Sequence, residues 1–164
     1  MRKNAGHLAA WSPKPGPGED PSSLTVLSKN VLLERRGWRQ DTKYVFMVTA
    51  RETGAPIIGR VALSQVCRGP MQAGYLGYWI DAERQGQGLM TEAVRAALGF
   101  AFGPARLHRV QINVMPRNAA SHAVVAKVGA RKEGLSLRYL EIAGVWEDHV
   151  MYALTADEWV VAPV

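Results

Sequence analysis

The sequence predicts an α+β domain: a mixed, mostly antiparallel sheet flanked by helices, and three observations carry that prediction. Apolar, aromatic or β-branched runs between Tyr44 and Ile80 are joined by short turns, the pattern of an antiparallel meander. A further strand-like run, Arg109–Val114, lies between two helical stretches. Two last runs, near Leu135–Ile142 and Val145–Leu154, read as a closing hairpin.

Length and composition set the frame. At 164 residues the chain is most simply one domain, 1–164, large enough for a single sizeable core. Apolar residues make up 48% and charged residues 21%, a globular composition rather than a disordered or membrane one. No apolar run reaches the length of a membrane span, and Met1-Arg2-Lys3-Asn4 has no secretory-type stretch behind it. The single cysteine, Cys67, excludes an internal disulfide and fits a reducing, cytoplasmic setting. It reads as a half-buried thiol at a strand end sooner than as a nucleophile. The balance of 20 Lys+Arg against 14 Asp+Glu suits anionic partners, coenzyme phosphates or ribosomal RNA. The basic residues are scattered, however, so direct nucleic-acid binding has little support. His7, His108, His122 and His149 show no metal-ligand spacing, and no metal is expected.

Taken in order, residues 1–10 read as the tail of a helix. Pro13, Pro15, Gly16, Pro17 and Gly18 then form a loop. Asp20-Pro21 is a helix start, Asp as cap and Pro in the first turn. Leu24, Leu27 and Val31 predict one buried stripe through about Gly37. Strands follow at Tyr44–Ala50, Ile57–Gln65 and Tyr75–Ile80, with turns at Glu52–Pro56 and Gly69-Pro70. Helices are predicted at Leu89–Phe102 and Ser121–Val128, on either side of the Arg109–Val114 strand.

The chemistry gathers where the Tyr75–Ile80 strand hands over to the Leu89–Phe102 helix. Gly86 and Gly88 let the backbone approach a ligand and turn its amides outward. The helix adds unpaired N–H groups and the positive end of its dipole, so strand, turn and helix start form a phosphate cradle. There is no Walker lysine after the glycines, and the three-glycine dinucleotide spacing is missing. An ordinary left-handed turn before a helix is the plainer reading of the same residues.

The run Arg84-Gln85-Gly86-Gln87-Gly88-Leu89-Met90-Thr91-Glu92-Ala93 resembles the acetyl-coenzyme A pyrophosphate loop of the GNAT N-acetyltransferases. Asn113-Val114-Met115-Pro116-Arg117-Asn118-Ala119-Ala120-Ser121, with Val128-Gly129-Ala130 and Glu133-Gly134 behind it, is similar to the RimJ/RimL branch. That branch's closing hairpin is matched by Tyr139–Leu154, with Gly144-Val145-Trp146-Glu147-Asp148-His149 inside it. The likeness runs over roughly residues 1–160, is densest from Gly74 onward, and is nearest the RimJ-type protein N-terminal alanine acetyltransferases.

The resemblance implies the GNAT fold, with the Tyr75–Ile80 and Arg109–Val114 strands parallel and splayed around the pantetheine arm. It implies acetyl-CoA as acetyl donor and direct ternary-complex transfer to a protein N-terminal amine, with ribosomal proteins as acceptors. It also implies a first strand and a complete first helix ahead of residue 1, which this chain is expected to lack, leaving a sheet edge open. A monomer and a homodimer both remain compatible.

Coenzyme contacts are implied for Trp79, Ile80, Arg84, Gln85, Gly86, Gln87, Gly88, Leu89, Met90, Thr91, Asn113, Asn118 and Ser121. The backbone N–H near Ile80 would polarise the thioester carbonyl. Ser121 would protonate the departing thiolate. Several of these residues have plain alternatives: Arg84 as a solvated loop cation, Asn113 as a strand-end cap, Asn118 and Ser121 as a helix cap and its first turn. The strand before the loop, Tyr75-Leu76-Gly77-Tyr78-Trp79, has no carboxylate to act as base. Glu92 complements the helix dipole, and Asp148 stands as either a substrate-amine contact or an exposed hairpin carboxylate. An α-amine, with its pKa near 8, is partly neutral at pH 7 without help. Tyr75, Tyr78, Trp79 and Trp146 are read as core or cleft wall. The alternatives in function are acetylation of a small amine or antibiotic, and an inactive coenzyme A- or ribosome-binding assembly factor.

Overall fold

The fold is described from a computed structural model covering residues 2–16, 18–52 and 54–159. Met1, Pro17 of the predicted loop, Thr53 of the predicted turn and residues 160–164 of the predicted domain lie outside that description. A short 3-10 turn, Arg2–Asn4, leads into α1 (Ala5–Ala9), and after the proline loop comes α2 (Leu24–Arg39). The meander is β1 (Tyr44–Thr49), β2 (Ile57–Cys67) and β3 (Ala73–Ile80). Then follow α3 (Leu89–Phe102), β4 (Arg109–Val114), α4 (Ala119–Lys127), β5 (Arg131–Ile142) and β6 (Val145–Thr155).

The six strands form one sheet in the order β1-β2-β3-β4-β6-β5. Only β3 and β4 run parallel, paired through Ala73↔Arg109, Gly74↔Val110 and Tyr75↔Gln111. β3 continues to Ile80 and β4 to Val114 without further pairing, so the strands part there and leave a gap in the middle of the sheet. Alternation along each strand sets the two faces. On β4, Val110, Ile112 and Val114 are buried against the helices with Leu76, Val94, Leu98, Val125 and Leu154, while Gln111 and Asn113 alternate to the opposite face. Tyr44 and Phe46 meet Phe100 edge-on and Trp38 meets it tilted, and so they fasten β1 and α2 to α3.

Four expectations are corrected. Asp20 does not cap α2, because its Oδ1 accepts from the Ser22 amide at 2.8 Å and closes a turn one step too early. Ser23, in extended backbone, caps instead and accepts from the Val26 amide. The predicted stripe is not buried: Leu24 is 83% and Val31 49% exposed, since the helix meets the sheet only near its end. There Gly37 lies so close to the start of β1 that a Cβ would fall 2.9 Å from that of Lys43. Cys67 is exposed rather than half-buried, because β2 shifts register between Ser64 and Cys67, with Gln65 at φ +51°. Trp146 is likewise exposed, on the hairpin and away from core and cleft.

A pH prediction arises from the β4–β5 side of the sheet. Arg109 bonds Glu133, aided by coulombic attraction and by Arg131, and holds its carboxyl at about 2. A carboxylate depressed in the folded state contributes stability above its unfolded pKa, and that contribution is lost as pH falls toward the folded value. Glu133→Gln should therefore lower Tm at pH 7, with the difference from the parent protein closing between about pH 5 and pH 2. Thermal melts across that range check it.

Candidate active site

The turn between β3 and α3 is built to present backbone. Asp81 caps a 3-10 turn, Ala82–Arg84, its side chain accepting from the Glu83 amide. Gly86 (φ +74°) and Gly88 (φ +80°) then adopt the left-handed conformation, and an added Cβ at either would meet nothing within 4 Å. Both are exposed. Gly88 is the N-cap of α3 and has no side chain to offer, whereas Ser23 caps α2 and Asn118 caps α4. The first amides of α3 thus face outward without a helical or capping acceptor, an arrangement that suits an anion.

Those amides open into a cavity of about 330 Å³ lined by β3, the glycine turn, α3, α4 and the N-terminal segment. Of the residues anticipated at the coenzyme site, Trp79, Ile80, Arg84, Gln85, Gly86, Gly88, Leu89, Met90, Thr91, Asn118 and Ser121 line it. Lys127 and Arg117 add cationic wall. Arg117 is held in place, donating to Glu147 at 2.9 Å and to the Ala10 carbonyl at 3.1 Å, with its guanidinium 4.8 Å over the Trp11 ring.

Three anticipated residues do not line the cavity. Gln87 turns back, its Nε2 donating to the Glu83 carbonyl, so it braces the loop. Asp148 accepts from the Arg138 amide at 2.8 Å and holds the irregular stretch of β5, where Arg138 has φ +48°. Asn113 faces away because it sits at the odd positions of β4, opposite the helix side. Its Nδ2 donates to the Tyr139 hydroxyl at 3.2 Å, and its buried Oδ1 has no hydrogen-bond partner among the described residues. A buried acceptor left unmatched costs about 1–3 kcal/mol. Glu92 is exposed in the first turn of α3, consistent with dipole complementation alone.

The surroundings of Ser121 were only half anticipated. The Tyr78 hydroxyl lies 2.8 Å from Ser121 Oγ, joining β3 to the first turn of α4. Burial pushes the Tyr78 phenol up to about 12, against the pull of Ser121, so it is a neutral donor at physiological pH. Tyr78 read from sequence as cleft wall; its even register with Leu76 and Ile80 was the signal that it faces the helices. Backbone geometry adds an acceptor-facing group. The Asp81 amide donates to Ile58 of β2 at 2.7 Å, and alternation turns the Ile80 N–H the other way, into the gap left by β4.

Sequence gave no sign that α1 would form part of the wall. His7, Leu8 and Trp11 line the cavity, and Gln85 Nε2 donates to His7 Nε2 at 2.8 Å across a separation of 78 residues. Asn4 is buried and its Oδ1 accepts from the Ala82 amide, while Lys3 pairs with Glu83 at 2.6 Å. These contacts tie the N-terminal segment to the rim of the glycine turn.

Comparison with known proteins fits this geometry. A family profile described as "Acetyltransferase (GNAT) domain" matches residues 6–131. The chain is 45% identical over 103 residues to the [ribosomal protein uS5]-alanine N-acetyltransferase of Escherichia coli, covering 63% of this chain and 53% of that protein. It spans about half the length of the curated relatives it matches first, 54% and 53%. Among solved structures, the ribosomal-protein-S5-alanine acetyltransferase of Vibrio fischeri superposes with a TM-score of 0.89 at 33% identity, over 97% of this chain and 85% of that one. Mycobacterium smegmatis RimJ in complex with CoA-disulfide gives 0.84 at 32% identity, over 94% and 73%.

Proposed function

The chain belongs to the GNAT acetyltransferase family, and on that premise we propose that it moves an acetyl group from acetyl-CoA to the N-terminal amine of a protein. One observation carries the reading: the uncapped start of α3 behind Gly86 and Gly88 opens into the same cavity as the Tyr78–Ser121 pair. Bound there, acetyl-CoA supplies an activated thioester. The residues fit it, because bare amides and the cationic wall of Arg84 and Lys127 suit a diphosphate, and the β3–β4 gap suits an extended arm with amides of its own.

The chain's own groups then divide the work. The outward Ile80 N–H stabilises charge developing on the carbonyl oxygen. Ser121 gives its proton to the sulfur as the C–S bond breaks, and Tyr78 donates to Ser121 in turn. The amine loses its proton to solvent as the C–N bond forms. Holding both reactants in the gap supplies much of the acceleration. A ribosomal protein is the acceptor we favour, because the E. coli and Vibrio relatives are named for ribosomal-protein alanine acetylation.

The test is a panel of peptides beginning with Ala, Ser, Met or Gly, incubated with acetyl-CoA and read by mass spectrometry. Acetyl should appear at the terminal amine, with Ala and Ser favoured. Transfer confined to small amines or aminoglycosides would move the function to small-molecule acetylation. Coenzyme binding without thiol release would favour an inactive assembly factor.

A further inference from the structure

On the sheet face opposite the coenzyme cavity, four polar or aromatic side chains converge just where β3 and β4 part. Asn113 stands on β4 two residues beyond the last β3–β4 pair, Tyr75↔Gln111. Tyr75 stands on β3 at that pair, on the same face by alternation. Tyr139 reaches across β6 from the irregular stretch of β5, and its hydroxyl accepts from Asn113 Nδ2 at 3.2 Å. His149 lies on β6, 3% exposed, with its ring edge-on to Tyr139 at 5.6 Å. Its Nδ1 is 3.0 Å from the Glu147 carbonyl, which only accepts, so Nδ1 carries the proton.

The hydrogen bonding here is unbalanced. With Nδ2 engaged by Tyr139, the Asn113 carboxamide is turned so that Oδ1 is the unmatched atom. Every other buried side-chain N or O among the described residues has a partner. The missing element is a donor, and the nearby carboxylates do not supply charge to the spot: Glu147 is paired with Arg117, and Asp148, in register with Val150, alternates to the other face of the sheet. A neutral acceptor flanked by phenol rings suits a primary amine, which brings N–H donors. It also favours the uncharged amine over the ammonium, because desolvation without a countercharge disfavours the cation. An enzyme with no carboxylate on β3 gains a deprotonated nucleophile in this way without a dedicated base.

We propose that Asn113, oriented by Tyr139, is the acceptor-amine subsite: its Oδ1 takes a hydrogen bond from the N-terminal amine of the incoming peptide, at the gap through which the thioester is reached from the other face. This rests on the acetyltransferase reading above and departs from a role for Asn113 on the coenzyme arm.

The test compares the parent protein, Asn113→Leu and Tyr139→Phe by calorimetry and by steady-state thiol release. The ligands are coenzyme A, an alanyl peptide, and the propionyl peptide that differs only in lacking the amine. The parent, saturated with coenzyme A, should bind the alanyl peptide at least about tenfold more tightly than the propionyl analogue. Asn113→Leu should abolish that discrimination and raise KM for the alanyl peptide at least about tenfold, with Kd for coenzyme A unchanged within about twofold. Tyr139→Phe, which frees the carboxamide to turn, should have the same effect in weaker form. Tm of Asn113→Leu should hold or rise, because removing an unmatched polar group relieves the fold.

Weakened coenzyme binding with unchanged peptide discrimination would assign Asn113 to the donor instead and overturn the proposal. A marked fall in Tm for both variants, with discrimination intact in whatever protein remains folded, would make the cluster structural and overturn it equally. Failure of the parent to acetylate any peptide would defeat the acetyltransferase reading itself, a result separate from any Asn113 phenotype.

Discussion

Gly86→Val should weaken coenzyme A binding at least about a hundredfold while the protein stays folded. Two costs add. Valine at φ +74° would sit in the left-handed region, at about 1–2 kcal/mol and more for a β-branched residue. The cheapest relief is to rotate the peptide planes, and that turns the outward amides away from the anion. Losing two charge-assisted hydrogen bonds at about 1.5–3 kcal/mol each amounts to a hundredfold or more in Kd. The added side chain would also stand in the approach to the turn. The fold should tolerate the change, since Gly86 is exposed and a Cβ there touches nothing within 4 Å. Calorimetry with coenzyme A, beside circular dichroism, separates the outcomes. An intact fold with parental affinity would remove the diphosphate from this turn, and the functional reading with it.

Ser121→Ala should lower kcat by about ten- to a thousandfold with coenzyme affinity retained, as loss of a positioned acid does. The Tyr78 contact sharpens the expectation. At 2.8 Å from Ser121 Oγ, the phenol can supply the proton through the serine, or through a water that takes the place of its hydroxyl. Ser121→Ala should then retain more activity than the Tyr78→Phe/Ser121→Ala double variant, and Tyr78→Phe alone should fall between parent and double. With the phenol held near 12, Tyr78 remains protonated up to about pH 11, so it does not act as a base in the physiological range. Equal kcat in parent and double variant would retire the pair as proton donor.

How far the sequence reached differs from element to element. Helix α3 was legible where it was expected, from Leu89 to Phe102, because Gly86 and Gly88 mark its start. Strand β4 was equally plain from its period-2 alternation. Helix α2 was misjudged at its cap and along its stripe. Asp20 and Ser23 are equally good caps by type, and only the turn closed on Asp20 Oδ1 chose between them. Leucine at helical spacing does not reveal whether any element packs on it, and for Leu24 and Val31 none of the described residues buries them. At the site, the glycine turn and the Asn118–Ser121 step were readable because they are local in sequence. Tyr78 against Ser121, His7 against Gln85 and Asn113 against Tyr139 join residues 43, 78 and 26 positions apart, and no local pattern encodes such meetings.

By itself, then, the chain determined where its backbone must turn and which amides stay bare, because glycine conformation and helix start are properties of neighbouring residues. Only tertiary structure decided which side chains those amides would share a cavity with, and on which face of the sheet Asn113 and Asp148 would lie. The physical reason is that strand register and the parting of β3 from β4 are set by packing across the whole sheet, where a single residue's alternation decides which wall it joins.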